Sequence, residues 1–258
     1  MKTAVLISGQ MRTFARCLPT LRYHVFRRLP EPAFFVSAAD DSDAKSAELL
    51  REAMPTARVE IDVVKQPTLD EPPLALADSA PYAITPTRTP GVGPLQGILR
   101  QLWHMSRVWS FAMEKGAGEA STFVRCRPDL HFQSFEMPSA KIWNGPEELV
   151  RDIRRIPGTN EALCCWWGNF GGVNDRFSVL GRKAAEAWFK TFDVLPELLD
   201  PKGIGCPFHP ESLVAASLEH SNCIVNRTLR ATFAFRRRDG TFEHATVLPD
   251  EIGTQFQK

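Results

Sequence analysis

Neither sign of charge dominates this chain. Its 31 Lys and Arg stand against 30 Asp and Glu, a formal net charge of +1. That balance creates no field to draw in a polyanion over distance, which argues against nucleic acid as a partner. Long apolar runs are also missing. The opening MKTAVLISGQMRTF reaches only about five apolar residues before Ser8 and Gly9, short of a signal-peptide core and far short of the roughly 20 residues of a membrane span. The sequence therefore predicts a cytoplasmic protein with no membrane span. Its six cysteines include no CxxC pair: Cys164 and Cys165 are adjacent, and Cys17, Cys126, Cys206 and Cys223 are scattered. This is neither a disulfide framework nor a zinc pattern, and it predicts thiols that serve as small buried hydrophobes in a reducing compartment. No internal repeat, low-complexity tract or GxGxxG fingerprint occurs.

What is present is the patterning of an α/β domain. With 258 residues and 43% hydrophobic content, the chain can bury one substantial core, or one core plus a small annex. Thr3 to Ile7, Ala33 to Ala38 and Arg58 to Lys65 are short apolar or β-branched runs that read as strands. Between them, Phe14, Cys17, Leu18, Leu21 and Val25 fall at helical spacing, with Pro19 predicting a start or a kink there, and Lys45 to Met54 reads as a second helix. Strand, helix, strand, helix, strand with short connections predicts a mostly parallel sheet flanked by helices, its loops gathered at the carboxyl ends of the strands.

Seven prolines between Gln66 and Pro94 then forbid regular structure, and a loop of that length predicts a lid or a binding loop. Leu95 to Lys115 follows as a long helix, with Leu95, Ile98, Leu99, Leu102, Met105 and Val108 on one stripe and Gly116 and Gly118 closing it. Thr122 to Cys126 is a fourth strand. Further strands are expected at Ala162 to Trp167, Phe177 to Leu180 and Cys223 to Phe235. Gly181 to Leu199 reads as one helix, and Pro210 to His220 as another, with Pro and Glu in its first turn.

Ligands of a doubly wound sheet bind beyond the carboxyl ends of its strands, and the residues there are polar. Ser8, Gly9, Gln10 and Arg12 follow the first strand, Asp40 and Asp41 the second, and Arg127, Asp129 and His131 the fourth. Gly9 allows close backbone approach, and Arg12 can reach a phosphate or the edge of a base. Asp129 and His131 share one side of an extended segment and can share a divalent cation, for which a carboxylate with an imidazole suits Mn²⁺ and, as the harder alternative, Mg²⁺. The alternative is an Asp in a Pro-Asp turn beside a core histidine. Asp175 enters a strand from a Gly-rich turn and can bind hydroxyls or act as a general base, and Glu211 is its rival for that role; an Asx turn and a helix-dipole partner are the corresponding structural alternatives. Of Trp166 and Trp167, facing opposite ways on a strand, one is expected in the core and the other as a platform for a sugar face.

The segments ISGQMRTF, VRCRPDLHF and NDRFSVLG resemble the nucleotide-diphosphate-sugar glycosyltransferases of GT-A-like fold, in particular a bacterial and viral branch with an SGxxRTF start and an RxDL segment. The resemblance spans the start of the chain and the stretch from about Phe123 to Leu180. It implies a single Rossmann-like domain over residues 1–258 with a nucleotide-binding half, residues 1–133, and a smaller acceptor-side part, residues 134–258. It implies a nucleoside-diphosphate-sugar donor and a glycan or glycolipid acceptor. By position, Ser8, Gly9 and Arg12 would contact the nucleotide, Asp41 the base or ribose, and Asp129 with His131 the metal and diphosphate. Where many metal-dependent members carry Asp-x-Asp, this chain has Arg127-Pro128-Asp129, so Arg125 or Arg127 is the alternative partner of the diphosphate. A sugar nucleotidyltransferase would call for a Gly-rich, Lys-containing loop after the first strand, which SGQMRTF does not provide. A catalytically silent binding module on the same scaffold is the alternative from another class.

Overall fold

The computed structural model describes residues 2–70, 95–132, 146–166, 168–229, 233–236, 239 and 242–243. The larger sheet has the strand order β3-β2-β1-β4-β7-β6-β8, formed by β1 (Thr3–Gly9), β2 (Pro32–Ala39), β3 (Arg58–Val64), β4 (Thr122–Cys126), β6 (Glu161–Cys165), β7 (Phe177–Leu180) and β8 (Ile224–Leu229). All run the same way except β7, which lies antiparallel between β4 and β6. A smaller sheet joins β5 (Leu130–Phe132), β9 (Phe233–Arg236) and β10 (Phe242–Glu243). The fold class is thus α/β, a mostly parallel sheet flanked by helices, as the sequence pattern predicts.

Helices cover both faces, which is why β1 is apolar on both sides. Val5 and Ile7 pack toward α1 (Phe14–His24) and α2 (Leu49–Ala53). Ala4 and Leu6 pack toward α3 (Gln96–Glu114), α5 (Arg182–Phe189), α6 (Leu195–Leu199) and α7 (Pro210–His220). The remaining helix, α4 (Pro146–Arg155), contributes Ile153 to the first of these cores. On α3, Leu99, Leu102, Met105 and Val108 form the expected apolar stripe, and Gly116 ends the helix with φ 82°, a left-handed conformation open to glycine at no cost.

Several boundaries differ from the sequence reading. Pro19 lies inside α1 rather than at its start; the backbone bond it removes would end at the carbonyl of Ala15, and both residues are exposed, so water can satisfy that carbonyl. The second helix is split into a 3₁₀ segment, Ala44–Glu48, followed by the short α2. The helix expected over Gly181 to Leu199 is two, α5 and α6, separated by a turn in which the buried Thr191 hydroxyl caps the Trp188 carbonyl at 2.8 Å. The strand expected over Cys223 to Phe235 is β8 and β9, in different sheets. β6 ends at Cys165, so Trp166 sits in a bend and not on a strand face, packed partly buried on the first core; Trp167 lies outside the described residues, as do residues 71–94 of the proline-rich segment. Five of the six cysteines are buried free thiols and Cys223 is half-buried. No described helix is long and apolar enough to cross a membrane.

Candidate active site

Ser8, near the end of β1, and Arg125, on β4, meet on the α3 side of the sheet. Arg125 is 1% exposed, and its Nη1 donates to the Ser8 Oγ at 2.8 Å while its Nε donates to the Asp175 carbonyl at 3.4 Å. Burial, partly offset by Asp175, lowers its pKa to about 10, which still leaves it charged at neutral pH. A buried guanidinium needs such acceptors, because an unpaired one would cost several kcal/mol. Around it α3 sets polar side chains against two strands and the loop leading into β7. Gln101 Nε2 donates to the Asp175 Oδ2, His104 Nδ1 lies 3.4 Å from the Ser37 hydroxyl of β2, and Arg107 pairs with Asp62 of β3 at 2.7 Å. These three residues are one turn apart on the helix, a second stripe beside the apolar one. The other nitrogen of His104 lies 3.2 Å from the Gln66 amide, and burial together with Arg125 and Arg100 lowers the imidazole to about 4, so it is neutral at pH 7.

Asp175 and Glu211, the two carboxylates singled out in the sequence, are 1% and 3% exposed and are linked through one guanidinium. Arg176 places Nη2 2.9 Å from the Glu211 Oε1 and Nε 4.0 Å from the Asp175 Oδ1. Its Nη1 donates to the Gly168 carbonyl at 3.0 Å, and His209 Nδ1 lies 3.0 Å from the Glu211 Oε2. Two backbone features bring these groups together. His209 and Pro210 start α7, putting Glu211 in its first turn, and Gly172 lets the β6–β7 loop touch that turn, where the Val173 N–H donates to the Glu211 carbonyl at 3.1 Å. A Cβ at Gly172 would overlap that same carbonyl. Burial, then the nearby Asp175 charge, raises the Glu211 pKa to about 8 against the pull of Arg176. His209 is lowered, chiefly by burial.

Arg127 and Asp129, between β4 and β5, form a two-pronged pair in which Nε and Nη2 donate to the two carboxylate oxygens at 3.0 and 2.8 Å. Their side chains are 26% and 23% exposed. Burial raises the carboxyl of Asp129, but Arg127 outweighs it and the net shift is downward; burial likewise lowers Arg127, and Asp129 reverses that into a net rise. β5 packs on α1, where His131, after burial and Arg28, helps to lower His24. No group of three or more potential metal ligands occurs among the described residues.

The remaining candidates border the same edge. Gly9 has φ 119°, a conformation that favours glycine, and is half-buried with Gln10. Arg12 is exposed. Asp41 accepts the Asp43 N–H at 3.0 Å, an Asx turn after β2. Direct contacts thus join Ser8, Arg125 and Asp175, and a second set joins Asp175, Arg176, Glu211 and His209. Sequence reasoning did not single out Gln101, Arg176 or His209; the only signal was polar residues recurring one turn apart on α3 and a cation following Asp175.

No family model matches the chain, and no curated protein sequence matches it. Among solved structures it is similar to mouse xyloside xylosyltransferase 1 in its apo form, with 10% identity, 85% of this chain and 82% of that chain covered, and a TM-score of 0.37.

Proposed function

We propose that the protein transfers a sugar from a nucleoside-diphosphate-sugar donor to a hydroxyl of a glycan or glycolipid acceptor. One observation carries this reading: two buried carboxylates, Asp175 and Glu211, converge with Arg125, Arg127 and Arg176 beside the carboxyl ends of a parallel sheet. Transfer from such a donor needs a group to take the acceptor proton and positive charge to receive the departing diphosphate. Glu211, with its pKa raised to about 8, retains its proton at neutral pH and is a poor base. Asp175 is the base in this reading, and the acceptor hydroxyl takes the place of the Gln101 amide on its Oδ2. The acceptor oxygen bonds to the anomeric carbon, its proton passes to Asp175, and the bond to the diphosphate breaks with its electron pair leaving on phosphate oxygen. Arg127, quarter-exposed at the end of β4, and Arg12 after β1 neutralise that charge. Ser8, Gly9, Gln10 and Asp41 line the nucleotide side. A divalent ion on Asp129 would have to displace the Arg127 fork, so no step is assigned to it.

The test is a thermal-shift panel of UDP, GDP and CMP on the full chain, followed by transfer assays with the sugar donor of whichever nucleotide stabilises it. Asp175→Asn should then lower turnover by roughly 10²-fold or more with donor binding little changed. If no nucleotide raises the melting temperature, the transferase reading is lost and the silent-module alternative takes its place.

A further inference from the structure

The loop between β6 and β7 carries a phenylalanine in a backbone conformation that favours glycine. Phe170 has φ 40°, a left-handed conformation that costs a non-glycine residue of order 1–2 kcal/mol. Its ring does not offset that cost by entering either core. Phe170 is 41% exposed, and its ring neighbours include the Arg176 guanidinium, 5.3 Å from the centroid, and the His209 ring at 6.2 Å. The loop beneath it is well tied. The Asn169 side chain donates to the Trp166 carbonyl at 3.1 Å and accepts the Asn174 N–H at 2.9 Å, and Arg176 holds the Gly168 carbonyl. An aromatic ring is thus held partly open to solvent, and the guanidinium beside it is the one that joins Glu211 and Asp175.

We propose that the face of Phe170 not covered by the Arg176 guanidinium is a stacking platform for a pyranose ring of the acceptor, with His209 beside it to meet the sugar hydroxyls. Naming the sugar as the acceptor rests on the transferase reading above. A pyranose has an apolar C–H face and a rim of hydroxyls, so it suits a flat apolar surface edged by charged donors and acceptors. A nucleobase is the competing flat ligand. Its place in a doubly wound sheet is the crevice where strand order reverses, here between β1 and β4, whereas Phe170 belongs to the β6–β7 loop and contacts, through Arg176, the cluster that contains the proposed base. An acceptor sugar stacked on Phe170 lies against the cluster, joined by Arg176, that contains Asp175.

The experiment uses the full chain labelled with ¹³C in its phenylalanine rings, the Phe170 signal being assigned by its loss in Phe170→Gly. That variant suits the left-handed backbone, so it removes the ring without adding strain. Methyl glycosides of glucose, galactose and xylose are titrated to tens of millimolar, with uridine as a separate arm, and saturation transfer to each is recorded. The expected result is that at least one glycoside shifts the Phe170 signal, and that saturation transfer to its C–H face is lost in Phe170→Gly and kept in Phe170→Tyr. Nucleotide-induced stabilisation should be the same in all three proteins. Glycosides that leave the Phe170 signal unmoved overturn the platform, even where a nucleotide still stabilises the protein and supports the transferase reading. A shift caused by uridine alone overturns it too, since the ring then serves a base. Glycoside stacking without stabilisation by any nucleotide keeps the platform and removes the transferase reading.

Discussion

Arg176 and Glu211 are 2.9 Å apart, both largely buried, yet the carboxyl is still pushed up to about 8 by desolvation and by Asp175. Folding therefore favours protonated Glu211. Between about pH 4.5 and pH 8 the native state binds more protons at this site than the unfolded chain does, so the stability it contributes is present at low pH and lost as pH rises through 8. Glu211→Gln, which mimics the protonated acid, should flatten that fall. Urea unfolding of both proteins at intervals from pH 5 to pH 9 measures it, and parallel curves would show that Glu211 is ionised in the native state.

His104 contributes the opposite slope. Its pKa, lowered to about 4 from 6.5 by burial first and by Arg125 and Arg100 next, means that the native state binds fewer protons between those values. Stability is complete above about pH 6.5 and declines on acidification toward pH 4, by up to roughly 3 kcal/mol. His104→Gln should remove this part of the acid loss while lowering stability at pH 7, since it disturbs the contacts to Ser37 and Gln66. An unaltered acid limb in the variant would show that His104 is protonated in the fold.

Two glycines should respond in opposite ways to alanine. Gly172 has the Glu211 carbonyl where a Cβ would go, and backbone cannot yield as a side chain can. Gly172→Ala should cost about 1–3 kcal/mol or more and pull the β6–β7 loop off the first turn of α7. Gly97, in the first turn of α3, has open space at its Cβ position, and Gly97→Ala should stabilise by up to about 1 kcal/mol. Thermal denaturation separates the two at once. Similar melting temperatures for both variants would mean that the loop does not contact α7 as described.

The elements legible in the sequence were those whose patterning has a single solution. β1, β2 and β4 are apolar runs long enough to be buried strands, β3 alternates β-branched with charged residues, and α3 has a stripe that only a helix can place on one side. The reversal of β7 was not legible, because Phe177 to Leu180 is a short, mostly apolar run that can pair in either direction. Asp175 and Glu211 were visible through their neighbours, a Gly-rich turn and a Pro-led helix start. Their partners were not: Gln101 and Asp175 are 74 positions apart, and only the packing of α3 across the sheet joins them. Phe170 had no signal at all, since a phenylalanine among glycines shows its left-handed backbone only in three dimensions.

Arg127 and Asp129 separate two ways of receiving a diphosphate. The fork between them takes both carboxylate oxygens, so either the ligand draws Arg127 onto phosphate or a cation draws Asp129 away from Arg127. The proposed reading takes the first course. With a binding nucleotide at about 100 times its dissociation constant, linkage adds about 2.7 kcal/mol, or roughly 5 to 10 °C in melting temperature for a chain of this size. That shift should survive EDTA. Asp129→Asn, which keeps the volume and frees the guanidinium, should retain or increase it, whereas Arg127→Gln should weaken nucleotide binding by about 10-fold or more, the worth of one charge-assisted contact. Loss of the shift in EDTA together with its loss in Asp129→Asn would reverse the assignment, giving the diphosphate to an ion on Asp129 and leaving Arg127 as the residue that holds the carboxylate in place before the ion binds.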